Sequence, residues 1–181
     1  MEQSRTQDGD RELDLDIYNQ SFKIRPSIDS DLEGIAKLMM NMCNNASSEV
    51  LRSQPPISLE EAKRAVISDL FVPDVRVLVL ERNIDNRLVG FISYARLNDK
   101  VFCVEHEWVE KDYTKYGYDN KMFERVEEDE ARKAGVTTLS VYVNILEHRL
   151  IHFLADRGYH TLRMLKLTKY LSEPAKDYTN K

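Results

Sequence analysis

Two cysteines, Cys43 and Cys103, are all that the 181 residues contain. So few thiols, with no metal-ligand spacing between them, leave no disulfide scaffold and no zinc motif to build on. Long apolar runs are missing as well. Nothing approaches the roughly 20 consecutive apolar residues that span a bilayer, and the N-terminus has no apolar signal core, so a cytoplasmic chain without a membrane partner is expected. A basic excess is also absent: 26 Lys and Arg stand against 31 Asp and Glu, a net charge of -5. That balance gives no electrostatic footprint for nucleic acid. With 6 Gly and 5 Pro the chain is neither collagenous nor of low complexity.

What is present is a globular balance, 42% hydrophobic and 31% charged, long enough for one domain with its own core. The charge is unevenly placed. Glu2, Asp8, Asp10, Glu12, Asp14 and Asp16 face only Arg5 and Arg11 in the first twenty residues, while the remainder is close to neutral. Residues 1–21 therefore read as an acidic, disordered arm with too few apolar groups to order itself. Residues 22–171 carry the domain pattern, and 172–181 form a polar tail. Self-association into a homodimer is left open.

Phe22–Arg25 alternates like a short strand that Pro26 ends. Asp29–Asp31 offers capping groups for a helix whose Leu32, Ile35, Leu38 and Met39 recur at helical spacing. The segment Ser47–Pro56 is loop-like. Ser58 and Glu61 then form a capping box for a helix reaching about Leu70. Val75–Glu81, Leu88–Leu97 and Val101–Val109 read as strands joined by tight turns at Asn83–Arg87 and Asn98–Lys100. A charged helix is expected over Tyr118–Ala134, stopped by Gly135. A β-rich run follows at Thr137–Val143, then a helix over Leu146–Asp156 ended by Gly158, then a last strand over Tyr159–Leu171. The order β-α-α-β-β-β-α-β-α-β predicts an α/β fold: a mixed sheet with helices on both faces, in three layers.

Chemistry concentrates in two places. In Cys103–Val109, period-two alternation puts Cys103, Glu105 and Glu107 on one strand face. Glu105 and Glu107 are candidate bases if burial raises their pKa, and ordinary solvated acids if it does not. After the strand comes Thr114-Lys115-Tyr116-Gly117-Tyr118-Asp119. Backbone N–H groups at a helix start, with the positive end of the helix dipole behind them, form an anion site, and glycine lets phosphate oxygens approach. Tyr113, Tyr116 and Tyr118 would stack on a ligand ring or simply cover the helix end. His148 and His152 stand four apart on a helix, but Arg149–Ile151 between them lacks the zincin glutamate and no third ligand is evident; no metal is expected.

The element order, Val109 at the strand end, Gly117 in the loop and Gly158-Tyr159 further on resemble the GNAT superfamily of N-acetyltransferases over roughly Phe22 to Leu171. The resemblance implies acetyl-CoA as co-substrate, held by Val109, Thr114, Lys115, Tyr116, Gly117, Tyr118 and Asp119. It further implies transfer of a short acyl group to an amine of a small molecule or peptide, assisted by Glu105 or Glu107. Four positions depart from the family pattern. Thr114 stands where Gln or Arg is usual, and Asp119 where a small neutral residue is usual; Asp119 would act as an N-cap or would repel a pyrophosphate. In Val143–Glu147, Glu147 occupies the place of an asparagine. Leu154 occupies that of the tyrosine which protonates the departing thiolate. These departures imply the alternative of a non-catalytic GNAT-like binding module. Tyr142, Tyr159 and His152 are weak substitutes for the missing acid.

Overall fold

The structure, a computed structural model, describes residues 21–45, 55–143 and 148–160. Strands β1 (Phe22–Pro26), β2 (Val75–Arg82), β3 (Arg87–Asn98) and β4 (Val101–Val109) pair antiparallel in chain order, and β5 (Thr138–Val141) joins β4 in parallel. The expected mixed α/β sheet is therefore present. A 3-10 turn at Asp29–Asp31 precedes α1 (Leu32–Asn44), and α2 (Leu59–Ala65) runs on into a π turn at Val66–Leu70. After β4 come a single turn, α3 (Lys111–Thr114), and α4 (Tyr118–Glu124), which continues as a π segment over Arg125–Ala131; α5 is His148–Asp156. The expected final strand lies outside the described residues beyond position 160, as do the acidic arm up to residue 20, the C-terminal tail, most of the Ser47–Pro56 loop and Glu147. Among the described residues no helix is long and apolar enough to cross a membrane.

Two apolar layers sandwich the sheet. On one face Ile35, Leu38 and Met39 of α1, with Ala62, Val66 and Leu70 of α2, close over Val77, Val79 and Phe91. On the other, Met122, Phe123 and Val126 of α4 and Leu154 of α5 cover Leu78, Leu80, Ile92, Tyr94, Phe102 and Val104. The α1 layer sits very close. A Cβ on Gly34 would come within 2.9 Å of Leu88 Cδ1, so glycine is what lets the helix approach β3. The predicted Ser58 box forms: the hydroxyl accepts from Glu61 N–H, and the Glu61 carboxylate accepts from Ser58 N–H at 2.7 Å.

Asp31 departs from expectation. Its side chain does not cap α1; it accepts from Ile28 N–H and takes a forked contact from Arg25. Arg25 also reaches Glu81, which Lys23 pairs as well, so one guanidinium clamps β1, β2 and the entry to α1.

The π segment in α4 re-phases its buried face. Val126 and Ala131, five residues apart, both turn inward. The acidic run around it is put to use: Glu130 accepts from Tyr94 Oη at 3.0 Å, while Glu127 accepts from Arg157 and from Tyr159 Oη. Arg157 also donates to Asn120 at 2.7 Å, fastening α5 to the first turn of α4. Gly135 (φ 69°) and Gly158 (φ 92°) end their helices in the left-handed region, as their positions predict.

Candidate functional site

Strand β4 is the spine of the site. It pairs with β5 only from Val101–Thr138 to Val104–Val141, and the last bond between them runs from Tyr142 N–H to the Val104 carbonyl at 3.1 Å. Beyond Val104 no pairing to β5 continues among the described residues. The β4 edge from Glu105 to Val109 is thus unpaired on its β5 side among the described residues.

On its other side β4 pairs with β3, and a bulge interrupts the ladder there: Ser93 opposes His106 and Tyr94 opposes Val104, so Glu105 is the extra residue. This single insertion corrects the expectation that Cys103, Glu105 and Glu107 share one face. Glu107 opposes Ile92 and lies on the α4 face; Cys103 opposes Ala95 and lies on the α1–α2 face with His106 and Trp108. The two candidate glutamates therefore do not form a pair. Glu107 is partly accessible, yet its carboxyl is so poorly solvated that burial, with the charge of Asp119 adding to it, pushes its pKa up to about 8. Glu105 acts on different neighbours: its charge raises the pKa of Cys103, already pushed up to about 11 chiefly by burial, and opposes the fall at His106. The Trp108 indole N–H is buried without an acceptor among the described residues.

The loop behind β4 keeps its shape and spends several of its donors internally. Gly117 is the N-cap of α4, with φ 73° and ψ 23°. Asp119 is thus not the cap; it sits in the first turn, and its Oδ1 accepts from Asn120 N–H at 2.9 Å. One of the helix-start donors that an anion would use is already taken. Thr114 Oγ1 donates to the Lys111 carbonyl at 3.0 Å inside α3, so its hydroxyl is occupied too. The Val109 side chain belongs to the core, leaving only its backbone on the β4 edge.

Of the tyrosines, Tyr118 is buried with its ring 4.7 Å from Phe22, and Tyr113 lies edge-on to Phe22 at 5.3 Å with its hydroxyl on Arg82. Those two cover the helix end rather than offering a stacking face; Tyr116 is partly buried under Lys115, whose Nζ lies 4.8 Å above the ring. Lys121 sits over Tyr118 at 5.0 Å.

Leu154 is 4% exposed and packs in the α4-side core, so this position fills the interior. Tyr142 is exposed, His152 is exposed on α5, and Tyr159 is engaged by Glu127. Two surface hollows, about 330 and 630 Å³, lie between α4 and β1 and between α1 and β3; Glu105, His106 and Glu107 line neither.

His106 is the residue that sequence reasoning missed. Strict alternation would have put it with Phe102 and Val104 in the core; only the bulge turns it to the α1–α2 face. Alanine at Gly117 would be strained by the left-handed backbone alone, since among the described residues no atom beyond its own neighbours lies within 4 Å of an added Cβ. Gly117→Ala is expected to cost about 1 kcal/mol, visible as a Tm roughly 2–4 °C lower.

A mixed sheet whose fourth strand leads into a glycine turn that opens a helix is the arrangement the sequence led us to expect; the parting of β4 from β5 is seen only in the structure. The chain belongs to the acetyltransferase (GNAT) family, whose profile matches residues 37–159, and family members use acetyl-CoA as co-substrate. Among solved structures it is similar to a possible acetyltransferase from Clostridium difficile 630, with a TM-score of 0.66 at 14% identity, covering 83% of this chain and 99% of that one. A GNAT-family acetyltransferase from Staphylococcus aureus MU50 gives 0.64 at 12% identity, over 78% and 86% of the two chains. The ribosomal-protein-alanine N-acetyltransferase from Brucella melitensis biovar Abortus 2308 gives 0.64 at 15%, over 82% and 99%. At such identities the likeness is one of fold. No curated protein matches the chain.

Proposed function

We propose that this protein is an N-acyltransferase that moves an acetyl or other short acyl group from CoA to an amine of a small molecule or peptide. The parting of β4 from β5 after Val104, on the strand that leads into the Gly117 turn, carries this assignment. An extended thioester arm can lie along the free edge of β4 and hydrogen-bond its backbone, as an added strand would. The backbone at Tyr118–Asp119, with Lys115 near it, would then hold the pyrophosphate; the Gly117 N–H itself donates to the Thr114 carbonyl at 2.9 Å. Bound there, acetyl-CoA supplies the activated carbonyl; the protein supplies position and proton management.

The bulge divides the two glutamates between these tasks. Glu107, on the α4 face beside Asp119, is held neutral over most of the physiological range and serves the CoA side, where a neutral carboxyl donates a hydrogen bond and adds no charge. Glu105 serves the acceptor side, where negative charge favours an incoming ammonium. Calorimetric titration with acetyl-CoA tests the assignment: saturable heat with a dissociation constant below 1 mM, roughly -4 kcal/mol or better, is expected. CoA thiol release should then rise above background when amines are added. No heat at millimolar ligand would remove the reaction and leave a GNAT-like binding module, the alternative that the occupied Asn120 N–H favours.

A further inference from the structure

We infer that His106 is the group that takes the proton from the acceptor ammonium, with Ser93 as its positioning residue; this rests on the acyl transfer proposed above. Several independent features meet at this side chain. The bulge at Glu105 turns His106 out of the α4-side core and onto the α1–α2 face, directly across from Ser93. Ser93 is fully buried on the central strand β3, and its Oγ lies 3.2 Å from His106 Nδ1. A hydroxyl fixed on the most enclosed part of the sheet holds one ring nitrogen and leaves Nε2 with no partner among the described residues. The ring itself is only half-buried, so that nitrogen remains reachable. His106 also sits on the stretch of β4 that β5 no longer covers, where a thioester lying along the strand edge would pass.

The charged surroundings suit an ammonium. Glu105 on β4 and Asp69 in the π turn after α2 both act on His106, and neither has a cationic partner among the described residues. Ser68 Oγ donates to Asp69 Oδ1 at 2.6 Å, which holds that carboxylate in place. Cys103 and Tyr142 complete the titratable groups nearby; Cys103 is buried and protonated at neutral pH, and Tyr142 lies at its side. Burial lowers the His106 pKa against the opposing pull of the two acids, so the ring is neutral at pH 7 and able to accept a proton.

In the Nδ1–H tautomer, which donates to Ser93 Oγ, the lone pair lies on Nε2. Nε2 takes one proton from the ammonium. The freed amine forms a bond to the thioester carbonyl carbon, the carbon–sulfur bond breaks, and the sulfur leaves with the second nitrogen proton as the CoA thiol. The proton on Nε2 passes to solvent. No separate acid is needed for that balance, which accommodates leucine at position 154.

The test uses the whole chain with acetyl-CoA and a panel of a diamine, an amino sugar and a lysyl peptide, followed as thiol release. In the wild type kcat/KM is expected to fall on the acid side with an apparent pKa below 6.5. In His106→Gln that limb should vanish and kcat/KM at pH 7.5 should drop about 100-fold or more, with the acetyl-CoA dissociation constant unchanged. Ser93→Ala should lose about tenfold and move the limb, which a purely structural role would not do. Imidazole nitrogen NMR, assigned by loss of the signal in His106→Gln, should show the Nδ1–H tautomer whether or not an acceptor has been found. Wild-type-like turnover and acid limb in His106→Gln overturn this inference and leave the acyltransferase reading intact. The opposite tautomer overturns it as well. Failure of the wild type to bind acetyl-CoA overturns both.

Discussion

Replacing Arg25 with alanine is expected to destabilise the fold by about 3 kcal/mol, the largest effect we anticipate from a residue outside the apolar core. Its guanidinium donates to Asp31 at 2.6 and 2.9 Å and to Glu81 at 2.6 Å, and both carboxylates are nearly sealed from water, with side chains 9% and 4% exposed. Burial alone would raise both acids. The hydrogen bonds from Arg25, with Ile28 N–H at Asp31 and Lys23 at Glu81, reverse that and hold both below the usual carboxylate range. Alanine would leave Asp31 without its cation, and Glu81 with Lys23 alone. The cost comes from the stranded charges rather than from the lost attraction.

A chain of this size would show the loss as a Tm roughly 6–12 °C lower. Arg25→Lys should fall in between, because a point charge cannot fork onto two carboxylates. The pH dependence has a definite sign. Both acids have depressed folded-state pKa values, so their stabilisation is present above the ordinary values of 3.8 and 4.5 and is lost as pH falls through the depressed ones. Arg25→Ala should therefore differ most from wild type near neutrality and converge toward it in acid. Thermal melts across pH 3 to 8 decide this, and parallel curves would refute the network as described.

The architecture was legible because its determinants are local. The apolar runs in Val75–Arg82 and Arg87–Asn98 and the Ser58–Glu61 box each act within a few residues, and Gly135 and Gly158 take left-handed backbone at helix C-terminal ends, as helix grammar requires. The site was much less legible. A bulge is decided by how β4 meets β3, and nothing in Cys103–Val109 announces that Glu105 will be the unpaired residue. One residue of slip exchanges faces along the rest of a strand. That slip alone separated Glu107 from Cys103 and Glu105 and brought out His106. The π turns at Val66–Leu70 and Arg125–Ala131 have the same character, since they adjust the phase of a helix to a neighbour that local sequence does not specify. Asp119 was misread for a related reason: the left-handed backbone of Gly117 makes the glycine itself the cap and moves the aspartate into the first turn. Spacing finds the helix start. Only geometry shows which donor is already used.

The Glu107–Asp119 neighbourhood gives the second large effect. Glu107 carries its proton until about pH 8, held there first by burial and then by Asp119. Below that pH this pair offers a pyrophosphate one repulsive charge, Asp119; above it, two. At roughly 5–6 Å, an added like charge costs on the order of 1–3 kcal/mol in a partly dry setting. Acetyl-CoA affinity is therefore expected to weaken about tenfold between pH 7 and 9 in the wild type and to stay nearly flat in Glu107→Gln. Linkage requires the converse: bound acetyl-CoA must raise the Glu107 pKa further, so binding above pH 8 takes up a proton, measurable as a buffer-dependent enthalpy. Glu107→Gln should also stabilise the free protein as pH rises. A carboxyl with a raised folded-state pKa contributes fully below its ordinary value of 4.5, and that contribution is lost as pH climbs toward 8. Asp119→Gly acts on the same site in a different way. It removes the permanent charge and also frees the Asn120 N–H that Asp119 Oδ1 now occupies, so affinity should rise about tenfold at pH 7. With one of the two causes gone, the pH midpoint should move below 8. Asp119→Ala separates the gain in binding from the helix cost of glycine. If wild-type affinity is flat from pH 6.5 to 9 and Asp119→Gly binds no better, the pyrophosphate does not lie against this turn.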